Sequence, residues 1–289
     1  MSSTGKGQTF SPTKRLERQY AAAIGKITKR ILAPIKPEQS LEEWLAEIAD
    51  RSRAADVQEA SNLLAQNMVR WANIRNAQSW RAAAAKSQRS RELYRLLQNE
   101  MQGPVGLQVQ RLIQANADYI SSVPLDAACV LVDEVARAQQ SGARASTISK
   151  MLKTRFPQLL KSRVMLISRT ETAKASTALT QARCEELSLD WYVWKTSEDQ
   201  RVRESHRKMD GVLCSWVDPP DPEALVGVKS TLGHYAAGSC PNCRCLIMPL
   251  LSLDDIGWPR KVYSNGAIHT LTKTQFKQRF STKGMESAA

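Results

Sequence analysis

The stretch Asp190-Trp191-Tyr192-Val193-Trp194-Lys195 divides the chain into two kinds of sequence. Its apolar residues are aromatic or β-branched, the types that suit a pleated and buried ladder, and they predict a strand. Upstream, almost everything reads as helix. Leu16, Tyr20, Ile24, Ile27 and Ile31 recur at steps of three and four, which puts them on one helical face. Pro34 and Pro37 are expected to end that helix. Ser40 then reads as an N-cap, with Glu43 three residues on as its capping-box partner. Helical composition continues over 54–101.

Gly103-Pro104 and Pro124 punctuate the next stretch, so separate helices are expected over 105–120 and 125–140, the second stopped by Gly142. Ser146 is expected to cap a short helix, and Pro157 to open a long one over 158–187. Residues 1–12 are Ser/Thr/Gly-rich and expected to be disordered.

Downstream of the dividing stretch, Asp210-Gly211 reads as a turn before a strand over 212–216. Asp218-Pro219-Pro220-Asp221-Pro222 suits neither helix nor central strand. Residues 245–251 form a second apolar run and read as a strand, and a short basic helix is expected over 274–280. The fold class is therefore α+β: a mainly α-helical N-terminal two-thirds and a small β-containing C-terminal module. The organisation read from the sequence is a basic helical region (1–103), further helices (104–190), a Cys/His module (191–250) and a tail (251–289).

The chain has 289 residues, 42% hydrophobic and 24% charged, which excludes wholesale disorder and fibrous repeats. No run reaches the roughly 18 apolar residues of a membrane span, and the first thirty residues lack a secretory apolar core. A membrane protein and a secreted product are not expected.

The net charge is +13, from 41 basic and 28 acidic residues. All of the excess lies in residues 1–184, which hold 28 Lys/Arg against 15 Asp/Glu; residues 185–289 hold 13 of each. Such asymmetry points to a polyanionic or acidic partner for the first part, or to a solvated helical surface. Arg70, Arg75, Arg81, Lys86, Arg89, Arg91 and Arg95 are interleaved with Trp71, Trp80 and Tyr94. This pattern can grip nucleic acid through phosphates and stacking, or place the aromatics in a core and the cations in water.

Four of the six cysteines, Cys214, Cys240, Cys243 and Cys245, fall in one short segment with His206 and His234. Structural zinc takes four Cys/His ligands, and a C-x-x-C turn aims two sulfurs at one ion. His206, Cys214, Cys240 and Cys243 are the expected ligands. Cys245 is set aside because it begins the apolar run, and His234 is a lesser candidate. The alternative is a reduced, buried cysteine cluster. A small module with little core would gain from a metal staple.

A set of motifs then appears in order. Ser168-Arg169-Thr170-Glu171-Thr172 lies on the long helix, followed by the aromatic strand. Asp199-x-Arg201-Val202-Arg203-x-Ser205-His206 comes next, then Asp210-Gly211, Pro219-Pro220 and Pro241-Asn242-Cys243-Arg244-Cys245. Their order and spacing closely resemble the phage Mu F-like head morphogenesis (minor head protein) family of tailed bacteriophages, over roughly residues 104–250.

The resemblance implies a minor capsid protein. It would act in head assembly, dock on portal, capsid or scaffold proteins, contact packaged DNA, and reside in the virion head interior or portal vertex after assembly in the host cytoplasm. It also implies that Arg169, Glu171, Asp199, Arg201, Asp210, Gly211 and Cys245 are structural motif residues. Relatives often carry His where this chain has Cys240, a change that keeps a metal-competent ligand.

No catalytic residue, small-molecule substrate or membrane partner is expected. One alternative is a toxin-like hydrolase or transferase, with His206, Asp210, Asp199 and Glu171 as acid/base groups. The sequence offers it no phosphate-binding Gly loop and no nucleophile elbow. A zinc-containing nucleic-acid-binding protein is the other. Against it, the Cys/His cluster lies in the charge-neutral part, whereas DNA-binding modules carry their own basic surface.

Overall fold

The computed structural model describes residues 10, 12–32, 35, 36, 38–85 and 100–280. Its helices are α1 (Lys14–Ile31), α2 (Leu41–Arg53), α3 (Ala55–Ala84), α4 (Pro104–Gln140) and α5 (Ala145–Glu186). After them come strand β1 (Trp191–Lys195), helix α6 (Glu204–Met209) and strands β2 (Leu213–Ser215), β3 (Leu246–Pro249), β4 (Arg260–Ser264) and β5 (Ala267–Leu271). Helix α7 (Lys273–Arg279) closes the described chain. The α+β reading holds: long helices first, then a five-stranded mixed sheet.

Helix α1 buries Tyr20, Ile24, Ile27 and Ile31 on the face that the spacing predicted. Ser40 and Glu43 form the expected capping box of α2. Pro34 and Pro37 lie outside the described residues, as do most of residues 1–12. Phe10, expected to be disordered, is instead buried in a T-shaped contact with Trp80, and its carbonyl accepts from Ser176.

Two helix boundaries differ from expectation. Pro124 lies inside α4 and Pro157 inside α5. An internal proline forfeits one backbone hydrogen bond and costs about 3 kcal/mol. Around Pro124 the flanking turns bury Ile120, Val123, Ala127, Ala128 and Leu131, several side chains at roughly 1.5–3 kcal/mol for each large one, so the helix continues. Around Pro157 the supporting contacts are Phe156 against Trp44 and, further on, the buried Val164 and Ile167.

The chain divides into two compact units. One comprises Thr13–Val69 and Arg111–Glu171. Within it Tyr20 donates to Asn116 at 3.0 Å. Burial pushes the Tyr20 phenol well up, and buried Glu171 adds to the effect.

The other unit comprises Met1–Pro12, Arg70–Gln110 and Thr172–Ala289, and holds the sheet. The strand order is β3-β1-β2-β4-β5. β1 pairs antiparallel with β2 and β3, β2 parallel with β4, and β4 antiparallel with β5. Because side chains alternate along a strand, β1 is buried twice. Trp191 and Val193 enter a core with Phe10, Trp80, Cys184, Leu187, Leu213, Val262 and Phe276. Tyr192 and Trp194 enter a second core with Met209, Cys214, Cys240, Cys243, Cys245, Ile247 and Tyr263.

Two of the five strands come from residues beyond 250, in the segment read as a tail. Asn265 (φ 50°) and Gly266 (φ 77°) make the turn between β4 and β5, the paired left-handed geometry that an Asn-Gly hairpin favours.

Candidate metal centre

Three pieces of backbone build the centre. Helix α6 is short and turns Ser205, His206 and Met209 inward. The Asp210-Gly211 turn ends it: Asp210 accepts from the Thr196 backbone N–H at 2.8 Å and from its hydroxyl at 3.1 Å, while Gly211 N–H donates to the Trp194 carbonyl. This ties α6 to β1 and sets the His206 ring edge-on to Trp194, with centroids 5.4 Å apart.

The third piece is the Cys240–Cys245 loop. Cys243 N–H donates to the Cys240 carbonyl, and Asn242 takes a left-handed φ of 57°. The turn faces both sulfurs inward, and Cys245 N–H lies 3.4 Å from Cys243 Sγ. The loop is anchored from α5, where the Thr177 hydroxyl donates to the Ala237 carbonyl at 2.8 Å. Gly238 has φ 84°, and a Cβ there would fall 2.5 Å from Thr177 Oγ1, so this close approach requires glycine.

His206 lies at the middle. Its Nδ1 is 3.3 Å from Cys245 Sγ and 3.6 Å from Cys243 Sγ, and Cys240 Sγ is 3.8 Å from Nε2. In a tetrahedral zinc site the known Zn–N and Zn–S bond lengths give a nitrogen–sulfur edge of about 3.5 Å. The two Nδ1 separations match that edge. Ligand atoms of His206, Cys243 and Cys245 all lie within 4.8 Å of one another, and all three side chains are buried. Cys240 Sγ adjoins Cys243 but approaches the ring at its other nitrogen, Nε2, so the group that could hold a metal is His206, Cys243 and Cys245.

Burial disfavours a charged His206, yet hydrogen bonding to Cys240 and Cys243 outweighs it and raises the imidazole to about 9. Neighbouring Cys243 and burial push the Cys240 thiol well up. The sulfurs around the ring thus favour its protonated form. Arg203 adds a further cation, with Nη1 3.2 Å from Cys240 Sγ and Nη2 donating to the Pro241 carbonyl at 2.8 Å. Zn²⁺ fits this donor set: thiolates and imidazole are among its preferred ligands.

Of the expected ligands, His206 and Cys243 fall in the group that could hold a metal, together with Cys245. Cys214 faces Tyr192 across the β1–β2 ladder, with Sγ 3.7 Å from the Val212 carbonyl, and burial pushes its thiol up. It packs as a small apolar side chain. Cys245 takes its place beside His206. It precedes β3 by one residue and shares the inward face of Ile247. His234 is exposed and hydrogen-bonds the Pro219 carbonyl.

The motif residues have local partners. Asp199 pairs with Arg244 and accepts from the Arg201 backbone at 2.9 Å, and the Arg201 side chain is exposed. Glu171 is buried near Tyr20, and Arg169 is half-buried. For the enzyme alternative, His206 is only 2% exposed, its ring enclosed by sulfur and aromatic side chains.

Of the nucleic-acid candidates, Arg70, Arg75 and Arg81 are exposed on α3, where Trp71 is 61% exposed and Trp80 fully buried. Lys86, Arg89, Arg91, Arg95 and Tyr94 lie outside the described residues. Sequence reading missed Glu223 and Tyr235, which surround His206, because neither belongs to a ligand-type motif.

Residues 130–248 match the family described as "Phage Mu protein F like protein". The match covers β1, β2, most of β3 and every residue of the cluster, so the resemblance read from the motifs holds over this region. A 146-residue stretch is 32% identical to an "Uncharacterized protein" of Haemophilus influenzae (strain KW20 / Rd). It spans 50% of this chain and 29% of that relative. No solved structure matches. Among the described residues, no helix is long and apolar enough to cross a membrane.

Proposed function

We propose that the chain is a minor head protein of a tailed bacteriophage that works in head assembly by docking and performs no turnover. The observation that carries the reading is the Mu F-like match over 130–248, which contains the entire Cys/His centre. In this reading zinc is a structural staple, held by His206, Cys243 and Cys245. It fixes a loop-rich module that has only short strands of its own, and that module presents a rigid surface to portal, capsid or scaffold proteins in the head interior or at the portal vertex. The direct test is co-expression with the portal protein of the same phage. Stable co-purification is the expected result; a protein absent both from portal complexes and from purified heads would sink the proposal.

DNA contact is a second element of the proposal, supported by the charge excess of residues 1–184 and by the exposed Arg70, Trp71, Arg75 and Arg81 on α3. Binding of the full-length protein to duplex DNA should weaken steeply with salt. Replacing Arg70, Arg75 and Arg81 together by Gln should reduce both the affinity and that salt dependence. An unchanged salt slope would remove α3 from any DNA interface.

A further inference from the structure

An imidazole has two nitrogens, and a single metal ion takes one of them. Which one His206 offers is fixed by what the other touches. Nε2 lies 2.9 Å from Tyr235 Oη, and that same oxygen lies 2.6 Å from Glu223 Oε2. The phenol donates to that carboxylate oxygen. With its only proton committed, the Tyr235 oxygen can only accept from His206. Nε2 therefore carries the hydrogen, and the free lone pair is on Nδ1, the atom 3.3 Å and 3.6 Å from Cys245 and Cys243. Glu223 is itself held by Ser205, whose hydroxyl donates to Oε1 at 3.1 Å. All four residues are buried, so water does not compete freely for these contacts.

We propose that Glu223 and Tyr235 are positioning residues that hold His206 as an Nδ1 ligand, in the tautomer and ring orientation that present its lone pair to the side of Cys243 and Cys245. The inference rests on the metal reading above and assigns a role to a segment that reading left unexplained. Residues 216–245 contain no strand and only one 3₁₀ turn, Ala224–Val226. Their backbone is pinned where Tyr235 N–H donates to the Pro220 carbonyl and Ala224 N–H to Asp221 Oδ1. The loop thus delivers a carboxylate and a phenol to the Nε2 side of the imidazole, while Cys243 and Cys245 bring sulfur to the Nδ1 side.

Cobalt(II) added to the full-length protein reads both levels. Its visible bands report tetrahedral thiolate coordination, and competition with a chelator gives the affinity. The wild type should bind one Co²⁺. Tyr235→Phe and Glu223→Gln should each weaken binding by about 10–100-fold, with far-UV circular dichroism unchanged. In a His206→Cys background, where a thiolate with no tautomer to set replaces the ring, the same substitutions should change affinity by less than about twofold.

A wild-type protein that takes neither Co²⁺ nor Zn²⁺ overturns the metal reading itself. Metal binding that is normal in the wild type and within about twofold in both single variants overturns the relay alone. Equal losses with and without the His206→Cys substitution also overturn it, since packing would then be the cause. Imidazole ¹⁵N shifts of the zinc-loaded wild type need no variant: a retained Nε2–H supports the relay, and a metallated Nε2 overturns it.

Discussion

The unit that holds the sheet contains two buried polar clusters, and they solve the problem of burial in opposite ways. Around Arg183, which is 1% exposed, every charge has its partner within the protein. Its guanidinium donates to both Glu100 oxygens at 2.7 and 2.8 Å, to Asn76 at 2.7 Å and to Asn73 at 2.7 Å. Asn76 in turn donates to Thr180 and the Ser176 carbonyl. Around His206 three sulfurs approach one ring, and Arg203 lies against Cys240. The first cluster is complete as folded. The second gathers His206, Cys243 and Cys245 in an arrangement that could hold a metal ion.

The contrast is tested most severely at the proposed metal site. Chelation, or Cys243→Ser, should abolish Zn²⁺ retention measured by elemental analysis; structural zinc contributes on the order of 10 kcal/mol of apparent binding free energy at neutral pH. The melting transition of the module should fall, while the Arg183 cluster, needing no ion, is unaffected by the chelator. Next in size is Arg183→Met, which strands Glu100 in the core and should cost about 3–5 kcal/mol in chemical denaturation, with or without metal.

Gly238→Ala ranks third. The new Cβ meets Thr177 Oγ1 in a backbone region that L side chains rarely adopt, so a loss of about 1–3 kcal/mol is expected, together with weaker metal binding because the Cys240–Cys245 loop is displaced. The smallest effect belongs to an exposed pair that resembles neither cluster. Arg155 reaches Glu134 at 2.9 and 3.0 Å and holds its carboxyl below the ordinary range. A depressed folded-state value means that the contribution is present above the unfolded carboxyl value of about 4.3 and is lost as pH falls below it. Glu134→Gln should therefore lower the melting temperature slightly at neutral pH, and the difference from wild type should vanish in acid.

The sequence disclosed the parts of this architecture governed by local chemistry. The Trp191–Trp194 strand was legible because both of its faces are apolar, and the α2 start because Ser40 and Glu43 stand three apart. Pro124 and Pro157 misled because local penalties were weighed without the burial of their flanks. Strands β4 and β5 went unread even though Asn265-Gly266 carried a turn signal, since the alternation beside it is weak: His269 and Thr270 break the apolar pattern. At the centre, the C-x-x-C turn and His206 were legible from spacing. Cys245 was set aside because it adjoins an apolar run, when alternation with Ile247 places it on the inward face. Glu223 and Tyr235 were beyond reach, because only tertiary contact brings a loop carboxylate to a distant imidazole.

The double burial of β1 has an optical consequence. Trp191 and Trp194 are three residues apart yet look into separate cores, Trp191 stacked among Phe276 and Phe280 and Trp194 beside His206. One indole is a built-in lamp for the metal side of the wall and the other for the helical side. Fluorescence lost on replacing each in turn by Phe would let an observer watch the two halves of the unit melt, or fill with metal, independently in the same molecule.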